Sequence, residues 1–255
     1  MKKLRVVCAL VLAAAMVLGA CASGDDAEGE PEPEPDSVGQ PDSDTDSEPD
    51  EDPDSAQTVY DGNWQLMLVN PWHAIPEGYT VDPVDLSNGE QVDRRILADL
   101  QQMMDDCRSQ GYDPMVCSGY RTHDLQIYLF ENEAARYTAQ GYSQSDAYLE
   151  ASRALAVPGT SEHECGLAVD IVDASYQVLD DAQADTPAQQ WLMAHAWEYG
   201  FVLRFPADKT DLTGIQYEPW HYRYVGRENA KSMHQQGVCL EEYLGQTTHG
   251  ERITY

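Results

Sequence analysis

Basic residues are scarce in this chain of 255 residues. Lys and Arg together number 15, against 45 Asp and Glu, which gives a formal net charge of −30. A surface this acidic repels phosphate backbones, so nucleic acid is excluded as an expected partner. The sequence also lacks an internal repeat and has no second long apolar run after its N-terminal one. These absences exclude a repeat architecture and a protein with several membrane spans.

The N-terminal 20 residues have the pattern of a secretory signal peptide. Three basic side chains precede an apolar run at 6–18, which is shorter than the roughly 20 residues of a membrane span. An uncleaved anchor is the alternative. Leu18-Gly19-Ala20-Cys21 resembles the bacterial lipobox, in which the cysteine becomes the lipidated first residue. We therefore expect lipidation at Cys21 and an extracytoplasmic protein, attached to the outer face of a bacterial membrane through acyl chains alone.

Residues 21–57 lack Lys and Arg and have few apolar side chains. About 15 acidic residues lie between 22 and 54, among many Pro and Ser, and they carry half of the formal net charge. Such a segment buries too little apolar surface to offset the entropy lost on ordering, so a disordered linker is expected. Residues 58–255 are long enough for a single domain with a real core. We expect this domain to be a monomer.

Only six cysteines occur in the chain. Cys8 lies in the signal peptide and Cys21 in the lipobox, which leaves Cys107, Cys117 and two others, Cys165 and Cys239. An exported protein can form disulfides, and four cysteines allow three pairings. A bond between Cys107 and Cys117, which flank a short turn, is the preferred one, and Cys165 with Cys239 would follow. Four buried thiols remain the alternative.

Helical and strand patterns alternate along the domain without a strict βαβ rhythm. The apolar periodicity and the turn residues predict strands at 64–69, 115–118, 167–172, 201–205 and 220–225. They predict helices at 89–108, 122–140, 144–154, 187–199 and 229–236, with Ser143 as the N-cap of the third. This arrangement favours the α+β class, with a small, mainly antiparallel sheet flanked by helices.

Three side chains suggest a metal site. His163, Asp170 and His221 offer two imidazoles and one carboxylate, a set that suits catalytic zinc because it leaves a fourth position for water. Glu218 lies close enough in sequence to His221 to serve as a general base. A His–Asp pair in a single sequence is more often structural, and Cys165 is a weaker candidate ligand.

The spacing of these residues restricts their geometry. His163 and Asp170 lie about 10 Å apart on a regular helix, which is too far for one ion. A turn at Gly166 into a strand would instead fold His163 back over Asp170, and alternation along that strand assigns Asp170 to the site and its neighbours to the core. Pro219 predicts a bend that turns Glu218 toward the same site before His221 enters its strand.

Four motifs in order resemble one enzyme family, over about residues 64–243. They are Ser118-Gly119-Tyr120-Arg121, Pro158 to His163, Gly166 to Asp170, and Glu218-Pro219-Trp220-His221-Tyr222-Arg223. The chain is identified by them as similar to the zinc D-alanyl-D-alanine carboxypeptidases of the vancomycin-resistance type. The resemblance implies the fold shared with the hedgehog signalling domain.

The resemblance also implies roles for individual residues. Zinc would be bound by His163, Asp170 and His221, with Glu218 as general base and Arg121 stabilising the oxyanion. Gln126 and Ser161 would hydrogen-bond the terminal residue of the substrate, and Tyr120 and Trp220 of the same motifs are expected to bind substrate too. The expected reaction removes the C-terminal D-Ala from peptidoglycan stem peptides.

Three other functions stay open. An L,D-carboxypeptidase would act on tetrapeptide stems and differs in the residue that precedes the cleaved bond. A non-catalytic, zinc-stabilised wall-binding domain is a candidate of another class, against which the presence of Glu218 counts. An endopeptidase that cuts cross-links is the weakest of the three.

Overall fold

The computed structural model describes residues 63–255 and the two-residue strand Val6–Val7. The remaining residues of the predicted signal peptide, Cys21 and the predicted linker lie outside the described residues. The strands are β1 Val6–Val7, β2 Pro83–Asp85, β3 Gln91–Asp93, β4 Pro114–Ser118, β5 Ala168–Asp173, β6 Val178–Leu179, β7 Phe201–Leu203 and β8 His221–Tyr224. The helices are α1 Leu97–Ser109, α2 His123–Thr138, α3 Gln144–Ala154, α4 Pro187–His195, α5 Thr210–Thr213, α6 Arg227–Gln236 and α7 Leu240–Tyr243.

A four-stranded antiparallel sheet positions the site. Its strand order is β4-β5-β8-β7, with β5 and β8 in the centre, and two-stranded pairs are formed by β1 with β6 and by β2 with β3. In the register of the sheet, Asp170 lies opposite Ser118 on one side and His221 on the other. The α+β class and the small antiparallel sheet predicted from the sequence are confirmed. Within residues 63–255, no helix is long and apolar enough to cross a membrane.

The main hydrophobic core lies between the central sheet and helices α1 and α4. Val169 and Ile171 of β5 and Leu100 of α1 are at most 1% exposed within it. A second buried cluster joins α2, α3 and the C-terminal tail, where the Tyr255 ring packs edge-on against Phe130. The tail is held by a further hydrogen bond, from Ile253 N to Pro71 O. Helix α2, which follows the Ser-Gly-Tyr-Arg motif, is therefore held through the buried face that carries Gln126, Phe130 and Ala134.

Most predicted elements agree with the structure. Helices α2 and α3 begin after Thr122 and Ser143, whose side chains accept hydrogen bonds from the first-turn backbone. The predicted helix 187–199 is α4 continued by a 3₁₀ helix, Ala196–Tyr199, which ends at Gly200 with φ of 88°. A left-handed residue of this kind ends a helix most readily when it is glycine.

Two predicted elements differ from the structure, one of them entirely. The predicted strand 64–69 does not form: its first half is the 3₁₀ helix Trp64–Leu66, because the Asn63 side chain accepts from the backbone N of Gln65 and closes a helical turn, and residues 67–69 belong to no strand. The predicted helix 89–108 begins only at Leu97. Its first residues form β3 and the 3₁₀ helix Arg94–Ile96, since the Asp93 carboxylate caps that turn.

The preferred disulfides are also wrong. Cys107, Cys165 and Cys239 are free thiols, so neither the bond from Cys107 to Cys117 nor the one from Cys165 to Cys239 forms. Cys165 is packed in the main core, where its thiol faces the carbonyl of Ser161, whereas Cys239 precedes α7. The alternative of unbonded thiols is the one that the structure supports for these three residues.

Candidate metal centre and active site

Three side chains from three segments converge at one end of the central sheet. His163 lies in the 3₁₀ helix Glu162–Cys165, Asp170 in β5 and His221 at the start of β8. Each offers one ligand atom, and these atoms lie within 4.8 Å of one another. All three residues are buried, with 3–4% of their surface exposed. The structure therefore brings together the three residues that the sequence selected.

Gly166 turns the chain between the first two of these residues. Its φ of 68° ends the 3₁₀ helix, and β5 begins two residues later. His163 Nδ1 lies 2.8 Å from the carbonyl oxygen of Gly119 and donates to it, while His163 Nε2 lies 3.3 Å from Asp170 Oδ2. The backbone carbonyl thus fixes the tautomer that leaves Nε2 available to a metal. The turn at Gly166 and the loop-to-strand geometry predicted from the spacing are confirmed.

His221 is held by a carboxylate on each ring nitrogen. Nδ1 lies 3.0 Å from Asp170 Oδ1, and Nε2 lies 3.3 Å from Glu162 Oε2. Burial lowers the pKa of His221, but hydrogen bonds to the Asp170 and Glu162 carboxylates outweigh it and raise this pKa to about 9. For Asp170 the directions are reversed. Burial raises its pKa, but His163 and His221 outweigh burial and hold the pKa well below its usual range.

Glu218 lies beside these ligands at the end of a tight turn. His221 N donates to Glu218 O at 3.1 Å across Pro219, which places the carboxylate oxygen Oε2 3.9 Å from His221 Nδ1. The Glu218 side chain is 15% exposed. Burial is the largest cause that raises its pKa, to about 7, with Asp170 adding to the rise and His221 opposing it. A carboxylate with this pKa is suited to accept a proton near neutral pH.

Arg121 is the cation of the site. Its Nη2 lies 3.4 Å from Asp170 Oδ2 and 2.9 Å from Ser118 Oγ. Nη1 lies 3.4 Å from Oε1 of Gln126, which is fully buried and donates from Nε2 to Ala156 O at 2.8 Å. Arg121 and Gln126 therefore lie together beside the metal ligands.

The other predicted substrate residues surround the same segments. Ser161 is 3% exposed and comes directly before the 3₁₀ helix that carries His163. Trp220 is 8% exposed, and its carbonyl accepts from Ile171 N. Tyr120 is half-buried and pairs through its backbone N with Gln91 O. These contacts are structural, and a direct role of these three side chains in binding stays a prediction.

Sequence reasoning missed the buried charges behind His221. Glu162 Oε1 accepts from Arg204 Nε and from Arg223 Nη1, both at 2.8 Å, and the two arginines are at most 1% exposed. A signal was present, because Arg204 and Arg223 interrupt strongly apolar runs, and a buried cation requires a carboxylate partner. The two arginines hold the pKa of Glu162 low although burial raises it.

The donor set fits zinc. Two imidazoles and one carboxylate are available within a small radius, and the hydrogen bonds of His163 Nδ1 and His221 Nε2 leave one nitrogen of each ring for a metal. Three protein ligands leave a fourth position open, as catalytic zinc requires. Zinc is the cofactor of this site.

Comparisons with known proteins agree with this site. Residues 89–227 match the family model of VanY, D-alanyl-D-alanine carboxypeptidase. A D-alanyl-D-alanine carboxypeptidase of Enterococcus faecalis is 46% identical over 182 residues, which are 71% of this chain and 66% of that relative, so the chain spans about two thirds of its length.

Solved structures show the same similarity. One of them is a glutamate-to-alanine variant of the D,D-pentapeptidase VanY from a VanB-type resistance cassette, in complex with Zn(II). Its sequence is 45% identical to this chain, the TM-score is 0.64, and the match covers 71% of this chain and 99% of that one. VanYB in complex with D-alanine-D-alanine is 44% identical with a TM-score of 0.65, over 72% and 99% of the two chains. The L,D-carboxypeptidase LdcB is 33% identical with a TM-score of 0.63, over 74% and 90%. The chain belongs to the VanY family of D-alanyl-D-alanine carboxypeptidases.

Proposed function

We propose that this protein is a zinc-dependent D-alanyl-D-alanine carboxypeptidase that removes the C-terminal D-Ala from peptidoglycan stem peptides. The observation that carries the proposal is the convergence of three metal ligands, one carboxylate with a raised pKa and one guanidinium at a single site. The similarity to VanYB, whose structure contains D-alanine-D-alanine, supports the same substrate.

The residues divide the reaction between them. His163, Asp170 and His221 would hold zinc, which when bound polarises the scissile carbonyl and lowers the pKa of water at the site. Glu218 accepts the proton of the attacking water and passes it to the nitrogen of the leaving D-Ala. Arg121 places positive charge where the substrate is anionic, at its terminal carboxylate or at the developing oxyanion. Ser118 and Gln126 accept hydrogen bonds from the Arg121 guanidinium and orient it.

A stem-peptide assay tests this function. The purified protein is incubated with zinc and with synthetic pentapeptide and tetrapeptide stems, and the products are weighed by mass spectrometry. Release of one D-Ala from the pentapeptide alone is the expected result. If neither peptide is cut in the presence of zinc, the proposed enzyme activity is wrong. The alternative, a non-catalytic wall-binding domain stabilised by zinc, would then be favoured.

A second specificity is supported by the comparison with LdcB. LdcB is an L,D-carboxypeptidase, and its similarity to this chain extends over 74% of the chain. Cleavage of the tetrapeptide in the same assay would assign L,D-specificity. We favour the D,D-reaction because the VanY structures are the more similar ones, at 44–45% identity.

We also propose that the domain, residues 58–255, is a monomer tethered outside the cell by the acidic segment and by lipid on Cys21. The support is the signal-like N terminus, the lipobox and the composition of residues 21–57. Replacing Cys21 by Ser is expected to remove the lipidated protein from the membrane fraction. The variant should instead be released into the medium or accumulate as the unprocessed precursor. Unchanged membrane attachment of the processed variant would contradict the lipid anchor.

A further inference from the structure

We infer that Glu162 is a positioning residue of the metal site, and that a buried chain of ion pairs from Arg204 to Glu241 in helix α7 holds it there. The inference rests on the proposed zinc site and goes beyond the proposed reaction. It concerns how His221 is presented to the metal, and it does not depend on which peptide is cut.

The two carboxylate oxygens of Glu162 have separate partners. Oε1 accepts from both Arg204 and Arg223, at 2.8 Å each, whereas Oε2 lies 3.3 Å from His221 Nε2. The carboxylate is therefore clamped on one side by two cations and on the other by the imidazole. Its side chain is 2% exposed, so water does not replace any of these partners readily.

This division determines which imidazole nitrogen is free. A carboxylate oxygen only accepts hydrogen bonds, so it requires a proton on Nε2 of His221. Nδ1 faces Asp170 Oδ1 at 3.0 Å, inside the ligand cluster, so Nδ1 is the nitrogen that would bind zinc while Nε2 keeps its proton. A carboxylate that accepts from the other ring nitrogen of a metal-binding histidine commonly fixes the ring in this way.

Glu162 is in turn held, through Arg204, by Glu241 of helix α7. Arg204 donates from Nη1 and Nη2 to the two oxygens of Glu241, at 2.8 and 2.6 Å, and Asn70 Nδ2 donates to Glu241 Oε1 at 3.0 Å. Two glutamates and two arginines thus balance in charge, and none of the four is more than 4% exposed. Asn70 and Glu241 both lie outside residues 89–227, the part matched by the family model.

The substitution Glu162→Gln tests the inference, because it changes donors without changing shape. The two arginines still require an acceptor, so the amide oxygen of Gln remains on their side and its NH₂ group faces His221 Nε2. That group donates, which forces Nε2 to accept and places the ring proton on Nδ1, where zinc would bind. We expect zinc affinity of the full chain, measured by competition with a chromogenic chelator, to fall about 10- to 100-fold.

Two further variants separate positioning from general damage. Glu241→Gln weakens the ion pair with Arg204 and so reaches Glu162 only indirectly, through Arg204. We therefore expect a smaller loss of zinc affinity than for Glu162→Gln. Glu242→Gln is the matched control, because Glu242 is the next residue, is 23% exposed and pairs with Lys209 at the surface. Zinc affinity of this control is expected to be unchanged.

Nitrogen-15 NMR of the histidine rings reports which nitrogen of His221 carries a proton. A purely structural role of Glu162 would leave these signals unchanged. In the metal-free native chain with the wild-type sequence, His221 Nε2 is expected to carry a proton, because it faces the Glu162 carboxylate. In Glu162→Gln this nitrogen is expected to have lost its proton, and the ring proton is expected on Nδ1. If Glu162→Gln folds and keeps both the wild-type zinc affinity and the wild-type ring signals, the inference is wrong.

If Glu162→Gln does not fold, Glu241→Gln decides. A zinc affinity equal to that of Glu242→Gln would then overturn the chain from Arg204 to Glu241. Neither measurement uses the peptide substrate, so a failure here leaves the stem-peptide result intact, and a failure of that assay leaves these results intact.

Discussion

Replacing Glu218 by Gln should make the metal-free protein more stable at neutral pH while nearly abolishing turnover. The Glu218 carboxyl is mostly buried beside Asp170, and its pKa is raised from 4.5 to about 7. The unfolded chain loses this proton near pH 4.5 and the folded chain only near pH 7. Stability that the protonated carboxyl provides below pH 4.5 is therefore lost progressively as the pH rises to about 7.

The size of the effect follows from the pKa difference. One pKa unit corresponds to about 1.4 kcal/mol, so the shift corresponds to about 3 kcal/mol, and the partial exposure of the side chain reduces this to about 2 kcal/mol. A neutral Gln of the same shape avoids this cost. The stability gain of Glu218→Gln over the wild type should therefore be near zero at pH 4, grow up to pH 7 and stay constant above it.

Urea unfolding of both proteins, freed of metal by a chelator, measures this difference at pH 4, 5.5, 7 and 8. The same variant, loaded with zinc, is expected to lose about 10²- to 10⁴-fold in kcat, the contribution typical of a general base. A stability difference that does not change with pH would refute the buried, raised-pKa carboxyl. Retained turnover would refute the general base, and loss of zinc would make Glu218 a ligand instead.

Three further predictions concern other parts of the site and core. Arg121→Ala should lower kcat/KM about 10²- to 10³-fold with zinc content unchanged, as steady-state kinetics and metal analysis would show. If the variant loses zinc, Arg121 instead supports Asp170. Gly119→Ala should destabilise the protein by about 1–3 kcal/mol, because a Cβ there would clash with the backbone oxygen of Gln91, and an unchanged urea midpoint would contradict this close approach. Burial raises the pKa of the thiols of Cys107, Cys165 and Cys239 to about 11 or 12, so a thiol reagent at pH 8 should label them only after unfolding, as peptide mass spectrometry would show. A reductant should leave the Tm unchanged, and labelling of the native protein would contradict the protection of these thiols.

The sequence predicted the site better than it predicted the surrounding charges. The predicted metal ligands were selected by the resemblance of four motifs to one family, whereas the turn at Gly166 and the bend at Pro219 could be found because ligand chemistry and strand alternation restrict them locally. Helix α3 was found to the residue because Ser143 is a strong N-cap.

Features that depend on distant partners could not be found in this way. The pairing of Arg204 with Glu162 and Glu241 joins residues 42 and 37 positions apart, and no local pattern specifies it. The segment 64–69 has strand-like residues, but the backbone carbonyl of Met67 accepts instead from Arg223, a side chain 156 positions away. Cysteine spacing failed for the same reason, because bonding depends on how α1, β4 and α7 are placed in space.

The position of Asp170 between Ser118 and His221 also determines when the protein can take up its metal. A slip of one residue in either pairing would turn Asp170 to the opposite face of the sheet, so a correctly aligned β5 is required for the ligands to meet. His221 lies on β8, which is the last strand of the four-stranded sheet in chain order. A chain that emerges from its N terminus therefore has no complete site until β8 has been delivered and paired with β5.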